Sequence, residues 1–399
     1  MKKIIALLLA LVMVFALAAC GAKEEAPAAP STPAAPSTPA APADPAAPAD
    51  PAAPAEPATD PSWNENELGM FDTGVDPASR DTYEVVWMYM RPMSLFQNIT
   101  ASLQELAPGL NYNLTEYCAN SDIDAIIQNI EIYASQGADG FLIVVDPTAS
   151  ARIISVLDGT GVPYVCMINS VRDENGAATA PCVGLESYPA GYETVQWLYD
   201  NRSTYWGDVD ASKIGILDYN FSANTDFNDR FEGAKACYFD NGGTEDKFFA
   251  ADGVSGALDE QTGYDLAAAI FAAHPEVEYW FVGACLEQYA QGATRAAEAL
   301  NMTDRVLVTA VGSDILPVEW DNGYDGCWVS CMALYNLQYA IPGIYGLVSL
   351  MDGTSTPETL WQHVRRDTDI YTFHNVSYTI MTKDNYVEYT ESIKALAGL

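Results

Sequence analysis

The chain has 399 residues, which is more than one ordinary domain holds and indicates about two domains. Its 18 lysines and arginines stand against 54 aspartates and glutamates, so the formal net charge is −36. So acidic a surface repels nucleic-acid phosphates, which excludes nucleic acid as a partner. None of the three histidines, His274, His363 and His374, is spaced with another histidine, a cysteine or a carboxylate as a metal ligand would be. We therefore expect neither a metal nor a cofactor.

The N-terminus carries the pattern of an export signal. Lys2 and Lys3 precede an apolar run at 4–19, which ends in Leu-Ala-Ala-Cys at 17–20. A short basic region, such a run and small residues at its end are typical of a secretory signal, and the run is shorter than the roughly 20 residues of a spanning helix. The ending resembles the bacterial lipobox. That resemblance implies that residues 1–19 are removed and that Cys20 receives a lipid, which anchors the chain on the outer face of the cell membrane.

Residues 26–61 are almost wholly alanine and proline. Proline fixes φ and removes amide donors, so neither a helix nor a sheet propagates through this segment. The composition is typical of an extended spacer, with a reach of roughly 110 Å at about 3.1 Å per residue. We assign residues 20–81 to a lipidated N-terminus with a disordered tether, and the globular part begins at residue 82.

From residue 82 onward, strand and helix patterns alternate. Isoleucines at 123, 126, 127 and 130 repeat at helical spacing, with Ser121 as the expected N-cap and Gly137 as the expected stop. Further helices are expected near 153–157 and at 190–200, 227–239, 260–273 and 288–300, and strands at 83–90, 111–118, 140–145, 164–168, 182–185, 213–217, 247–250, 278–282 and 306–311. This alternation predicts an α/β fold with two doubly wound parallel sheets of similar size.

Several short motifs follow one another in a fixed order. Residues 120–130 read Asn-Ser-Asp-Ile-Asp-Ala-Ile-Ile-Gln-Asn-Ile and lead into Gly-Ala-Asp-Gly-Phe-Leu-Ile-Val at 137–144. Arg-Phe-Glu-Gly at 230–233, Val-Gly-Ser-Asp at 311–314 and Thr-Lys-Asp-Asn at 382–385 come later. Each motif alone is weak. The ordered set resembles the type I periplasmic sugar-binding proteins, the ribose-, galactose- and autoinducer-2-binding group, over roughly residues 82–395.

This resemblance implies two lobes joined by three crossings, with a small ligand bound between them. The crossings would fall near 186–187, 331–332 and 368–371. The N-terminal lobe would comprise 82–186 and 332–369, and the C-terminal lobe 187–331 and 370–399. A ligand that touches both lobes stabilises their hinged closure. The resemblance further implies a monomer that delivers its ligand, a carbohydrate, to an ABC permease.

The resemblance also directs attention to side chains near strand ends, where a doubly wound sheet presents its ligand contacts. Aspartate and asparagine accept hydrogen bonds from hydroxyls, and aromatic faces stack on sugar rings. The ligand-binding candidates are Arg91, Phe96, Asn169, Asn228, Glu287, Asp314 and Cys331.

Several of these candidates have structural alternatives. Phe96 also fits a core position, Arg91 a surface position, and Asp314 the cap of the next helix. Asn169 and Cys331 depart from the charged pair and the glutamine that the family carries, so the resemblance does not identify the ligand as ribose. A nucleoside or a signalling molecule is the alternative to a carbohydrate.

Two other functions compete with transport. The same cleft suits the ligand-sensing subunit of a membrane receptor, and Glu287 with Asp314 is the pair of carboxylates that a lipid-anchored glycosidase would need. No Gly-x-Ser-x-Gly, P-loop or Gly-x-Gly-x-x-Gly sequence occurs, so we expect no enzyme. The eight cysteines minus Cys20 leave seven, an odd number that leaves at least one thiol free unless the chain crosslinks to another.

Overall fold

A computed structural model describes residue 69, residues 71–173 and residues 175–396. The predicted signal peptide, Cys20 and the segment at 26–61 lie outside these residues. In the described part of the chain, no helix combines the length and apolar character needed to cross a membrane. The same part forms two six-stranded sheets with helices on both faces, which confirms the prediction of two doubly wound lobes.

Among the described residues the sheets contain twelve strands, and the two sheets are equivalent in strand order. The strands are β1 (Tyr83–Tyr89), β2 (Tyr112–Cys118), β3 (Gly140–Ile143), β4 (Tyr164–Ile168), β5 (Cys182–Gly184), β6 (Ile214–Asn220), β7 (Phe248–Asp252), β8 (Tyr279–Ala284), β9 (Val306–Val311), β10 (Trp328–Ala333), β11 (Phe373–Asn375) and β12 (Thr379–Thr382). The N-terminal lobe has the order β11-β5-β4-β3-β1-β2, and the C-terminal lobe the order β12-β10-β9-β8-β6-β7. The sheets differ at one edge, because β11 runs parallel to β5 whereas β12 runs antiparallel to β10.

Helices cover both faces of each sheet. They are α1 (Ser94–Leu110), α2 (Ile123–Ser135), α3 (Ser150–Thr160), α4 (Ser187–Trp206), α5 (Thr225–Asp240), α6 (Glu260–Ala273), α7 (Glu287–Ala299), α8 (Leu316–Asp321), α9 (Asn336–Met351) and α10 (Tyr386–Leu396). In the N-terminal lobe, α1 and α9 pack on one face and α2 and α3 on the other. In the C-terminal lobe, α4 and α5 pack on one face and α6 and α7 on the other.

The expected helix with the repeating isoleucines is α2, but its N-cap differs from the expectation. The Asp122 carboxylate accepts a hydrogen bond from the Ala125 backbone N–H at 2.9 Å. Ser121 therefore does not cap the helix, since it lies one residue too early and has a positive φ of 69°. Gly137 follows the end of α2 with a φ of 94°, a conformation that glycine adopts without strain.

The three crossings lie at 185–186, 334–335 and 376–378. The predicted third crossing near 368–371 is wrong, because β11 still pairs with β5 in the N-terminal lobe. The predicted second crossing is too early by about three residues, because β10 pairs with β12 as far as Ala333. The second segment of the N-terminal lobe therefore runs from about 336 to 375, not from 332 to 369.

Two glycines allow α4 and α5 to touch. A side chain on Gly191 would overlap the carbonyl group of Arg230, and one on Gly233 would overlap that of Tyr188. Glycine has no Cβ, so the two backbones approach closely. This contact holds the backbone of Arg230 in place, and the Arg230 side chain reaches the cavity described next.

Candidate functional site

A cavity of about 400 Å³ lies between the two lobes. The N-terminal lobe lines it with segments that follow β1, β2, β3 and β4, and the C-terminal lobe with segments that follow β6, β7, β8, β9 and β10. These are the carboxyl ends of parallel strands, the usual place of ligands in doubly wound sheets. The volume is that of a small-molecule site. Because both lobes line the cavity, a molecule in it would contact both.

Four polar side chains in the cavity form a polar cluster, namely Asp226, Arg230, Asp314 and Tyr339. Burial raises the pKa of Tyr339, the nearby Arg230 opposes that rise, and both aspartates add to it. The Arg230 guanidinium donates to the Cys285 carbonyl at 2.8 Å, and its Nε is buried without a hydrogen-bond partner among the described residues. A buried guanidinium with an unused donor is suited to a ligand oxygen.

Glu287 holds the loop that carries Asp314. Its buried carboxylate accepts hydrogen bonds from the backbone N–H groups of Asp314, Ile315 and Leu316 at 2.7 to 3.1 Å. Burial raises the pKa of Glu287 to about 7, the Asp314 charge adds to the rise, and the three donors oppose it. Both oxygens of Glu287 are thus engaged by the N-terminus of α8, so this side chain positions Asp314.

Asp314 lines the cavity from the C-terminal lobe and also reaches the N-terminal lobe. Its Oδ1 accepts a hydrogen bond from the side-chain amide of Asn98 on α1 at 2.8 Å. Burial raises the pKa of Asp314, and the bond from Asn98 opposes that rise. Glu287, not Asp314, caps the next helix. The Oδ2 of Asp314 has no partner within the described residues and is available to a ligand.

A second hydrogen bond joins the lobes. Asp226, in the first turn of α5, accepts at its Oδ2 from the Ser170 backbone N–H at 3.0 Å. Burial raises the pKa of Asp226, and the bond from Ser170 opposes that rise. We call this contact and the bond between Asn98 and Asp314 the interlobe hydrogen bonds. Both use a carboxylate of the C-terminal lobe that also lines the cavity.

Three candidates of the N-terminal lobe also line the cavity. Arg91 is half-buried, and its guanidinium makes no hydrogen bond or ion pair within the described residues. Phe96 is 6% exposed and packs against the rings of Trp87 and Tyr89, so it serves the core as well as the cavity wall. Asn169 donates its side-chain amide to the Val145 carbonyl at 2.9 Å, which leaves its carbonyl oxygen for a ligand.

Asn228 and Cys331 do not line the cavity. The carbonyl oxygen of the Asn228 side chain accepts from the Asn220 amide at 3.0 Å. Cys331 lies fully buried in the middle of β10, where burial raises its thiol pKa well above the usual value. The expectation of a contact at Cys331 is therefore wrong, because its side chain faces the core of the C-terminal lobe.

Sequence reasoning did not select Asp226 or Tyr339. Asp226 follows β6 and lies two residues after Asn224, the N-cap of α5, and an acidic residue in the first turn of a helix after a strand is a signal that could have found it. Tyr339 lies in the first part of α9, in a run of buried and mostly apolar residues, so no local signal identifies it. The described residues contain no group of three or more histidines, cysteines, aspartates or glutamates suited to a metal ion.

Comparisons with known proteins agree with this architecture. The sequence model of a family described as periplasmic binding protein domain matches residues 87–322. An L-arabinose-binding periplasmic protein of an ABC transporter from Azospirillum brasilense is 25% identical over 185 residues, which are 45% of this chain and 54% of that relative. The chain thus spans about half the length of this curated relative.

Solved structures with bound small molecules share the fold. A solute-binding protein from Actinobacillus succinogenes with bound D-allose has a TM-score of 0.61 at 14% identity and covers 77% of this chain and 100% of its own. One from Bacillus halodurans with bound myo-inositol has a TM-score of 0.60 at 18% identity and covers 80% of this chain and 99% of its own. At these identities the likeness concerns the fold alone.

Proposed function

The chain belongs to the periplasmic binding protein family in its type I, sugar-type form, and from this premise we propose that it captures a carbohydrate between its lobes and delivers it to an ABC permease from a lipid anchor. The observation that carries the proposal is the cavity lined by both lobes. A ligand in contact with both lobes favours the closed state, which a partner protein can distinguish from the open state. Membership of this family implies a location outside the cytoplasm.

The polar cluster suits the hydroxyls of a sugar ring. Asp226 and Asp314 each keep one carboxylate oxygen that can accept from a ligand hydroxyl, while Arg230 and Tyr339 can donate. The half-buried Phe227 ring, with the Arg230 guanidinium 5.1 Å from its centroid, offers a face for stacking. A relative that is named for binding L-arabinose, and similar structures with bound D-allose and with bound myo-inositol, support a carbohydrate.

The arrangement of the two carboxylates does not favour the glycosidase alternative. A glycosidase needs one carboxyl group that protonates the leaving oxygen and one that acts as a base or nucleophile. Both oxygens of Glu287 accept hydrogen bonds from three backbone N–H groups at the start of α8. Glu287 is therefore not directed at a glycosidic bond in the cavity. This arrangement of Glu287 supports a ligand-binding function and not the cleavage of a glycosidic bond.

A thermal-shift screen of the full chain against pentoses, hexoses and inositols tests the proposal. A ligand that binds only the folded state stabilises it by mass action, by about 2.7 kcal/mol at a hundredfold excess over the dissociation constant. We expect at least one of these compounds to raise the melting temperature of the wild type and not that of Asp314→Ala. The absence of any shift at millimolar concentration would contradict a carbohydrate-binding function.

The anchor in this proposal is Cys20. We expect Cys20→Ser to move the protein from the membrane fraction to the soluble fraction with unchanged ligand affinity, because the tether separates the lipid from the cavity. Cys118→Ser, in the globular part, is the matched control and should leave the membrane fraction unchanged. Equal membrane partition of the wild type and Cys20→Ser would remove the anchor from the proposal.

A further inference from the structure

We propose that Cys166 and Cys182 are a disulfide-forming pair, and that the redox state of this pair sets how firmly residues 169 and 170 are held where the two lobes meet. Neither cysteine lines the cavity, so the inference concerns a second site and goes beyond the proposed function. It uses only the location outside the cytoplasm that membership of the family implies, where disulfide bonds form and persist.

The two cysteines lie opposite each other on neighbouring strands. Cys166 in β4 is in register with Cys182 in β5, and both side chains are fully buried in one hydrophobic cluster, on the face of the sheet that α2 and α3 cover. Neighbouring strands lie about 4.8 Å apart, which is inside the range of Cα separations that disulfide bonds span, about 4.4–6.8 Å. No other two of the seven cysteines in the described part of the chain are in register on neighbouring strands.

The reaction that joins the two cysteines is thiol–disulfide exchange. The two protein thiols react with a small-molecule disulfide, such as oxidised glutathione, and the products are the protein disulfide and two small-molecule thiols. The protein loses two hydrogen atoms with their electrons, and the small-molecule disulfide is reduced by them. Burial raises the pKa of both protein thiols, so few thiolates exist in the folded protein. The bond therefore forms while the chain folds, before the helices cover β4 and β5.

Cys182 also contacts the turn that ends β4. Ile168 has a φ of 72° in this turn, which a 2.9 Å hydrogen bond from the Asn169 N–H to the Met167 carbonyl closes. A positive φ is uncommon for a β-branched residue, so the turn costs free energy and depends on contacts that hold it. The Cys182 thiol provides one of them, since it donates to the Asn169 backbone carbonyl with 3.3 Å between sulfur and oxygen.

Residues 169 and 170 link this turn to the cavity and to the other lobe. Asn169 lines the cavity, and the Ser170 backbone N–H makes the interlobe hydrogen bond to Asp226 at 3.0 Å. A sulfur in a disulfide carries no hydrogen, so oxidation removes the donor from the Asn169 carbonyl. The turn then loses one of its contacts, and the Ser170 amide opens more often in the oxidised protein than in the reduced one.

Peptide mapping of the full chain tests the bond. The protein is refolded in a mixture of oxidised and reduced glutathione, the free thiols are blocked, and trypsin is added without reductant. Because trypsin cleaves after Arg152, Arg172 and Arg202, the two cysteines fall on separate peptides, 153–172 and 173–202. We expect these peptides to stay linked, at a combined mass lower by two hydrogen atoms, and to separate on reduction. Recovery of the two peptides with blocked thiols, or linked to other cysteines, would overturn the inference.

Hydrogen exchange, followed by mass spectrometry, tests the effect on residues 169 and 170. We compare wild-type protein refolded with reductant with protein refolded in the glutathione mixture. Peptides that cover these residues should exchange about threefold faster in the oxidised protein, because one weak hydrogen bond is lost. Equal exchange in the linked and the reduced wild type would overturn the proposed control of this segment, whether or not any variant folds.

Two variants assign the effect to this pair. Cys166→Ala keeps the Cys182 thiol but removes its partner, so residues 169 and 170 should exchange at the reduced rate after either refolding. Cys331→Ala, at a buried cysteine of β10 in the other sheet, is the matched control and should keep the wild-type difference. A difference that persists in Cys166→Ala would overturn the assignment. None of these measurements uses a ligand, so their failure would leave the proposed function intact.

Discussion

The two lobes share one strand order but line the cavity with different chemistry. Three of the four members of the polar cluster, Asp226, Arg230 and Asp314, come from the C-terminal lobe, whereas the N-terminal lobe contributes Tyr339 to that cluster and Arg91 beside it. Both sets lie near the carboxyl ends of strands, so the difference does not come from the sheets. It shows that equivalent sheets position whatever side chains their loops carry, and that the loops decide the chemistry of the cavity.

The lobes also differ in how they take part in closure. In both interlobe hydrogen bonds the C-terminal lobe supplies the carboxylate, and the N-terminal lobe supplies an amide donor from Asn98 or from the Ser170 backbone. Each of these carboxylates therefore accepts a hydrogen bond from the other lobe with one oxygen, while the rest of its side chain lines the cavity. We therefore expect closure and ligand binding to be coupled through the same two residues.

The largest expected effect concerns Asp314, a carboxylate that the C-terminal lobe contributes to the polar cluster. Charge-assisted hydrogen bonds are worth about 1.5–3 kcal/mol each, so we expect Asp314→Ala to lose about 2–4 kcal/mol of binding, or about 30- to 800-fold in affinity. Calorimetry measures this loss. Asn98→Ala removes the interlobe bond alone and should cost less than tenfold. Equal losses in the two variants would mean that Asp314 acts only through closure.

The second expected effect concerns the pH dependence of stability. The folded-state pKa of Glu287 is about 7 against an ordinary value of 4.5, so between these pH values the folded protein holds a proton that the unfolded chain has released. The contribution of this group to stability is therefore fully present below pH 4.5 and is lost as the pH rises to 7, by on the order of 3 kcal/mol. Burial also raises the pKa of Asp218 and of Asp226, which acts in the same direction.

Thermal melts at pH 5, 6 and 7 measure this slope. We expect a lower melting temperature at pH 7 than at pH 5 in the wild type, and a smaller difference in Glu287→Gln, which removes the titrating group. Glu131→Gln on the exposed face of α2 is the matched control and should keep the wild-type slope. An unchanged slope in Glu287→Gln would show that another group is responsible.

The third expected effect concerns the interlobe hydrogen bonds in the free protein. Each bond contributes about 1 kcal/mol, so we expect Asn98→Ala with Asp226→Ala to shift the ratio of closed to open molecules by about 30-fold. Solution scattering should show a larger radius of gyration for the ligand-free double variant than for the wild type. Gln97→Ala, an exposed neighbour on α1, should leave the radius unchanged. Equal radii for the wild type and the double variant would show that these bonds do not hold the lobes together.

The smallest effect on binding is expected at Cys331, which the sequence predicted as a ligand contact. Because its side chain is buried in β10, Cys331→Ser should lower the free energy of unfolding by about 1–2 kcal/mol through a buried hydroxyl, and should change ligand affinity less than twofold. Denaturant unfolding and calorimetry on the same sample separate the two quantities. A large loss of affinity in a stable variant would show that Cys331 belongs to the ligand-binding site.

Much of the fold could be predicted because its signals are local. Hydrophobic periodicity places α6 at 260–273 and β9 at 306–311, where the structure also has them. The order of motifs predicted the family, which the match over residues 87–322 confirms. Periodicity did not identify α9, because almost every residue from Leu337 to Leu350 is buried and an all-round apolar helix has no polar face to mark its period.

The sequence alone determined the two sheets, the position of a cavity at their carboxyl ends, and Asp314 at the end of β9. Only the tertiary structure decided which side chains face that cavity and which partners they have. Glu287 binds backbone groups 27 to 29 residues away, Asp226 a group 56 residues away, and Asp314 an amide 216 residues away. Such contacts depend on how the lobes pack and close, and no local pattern of residues encodes that distance or direction.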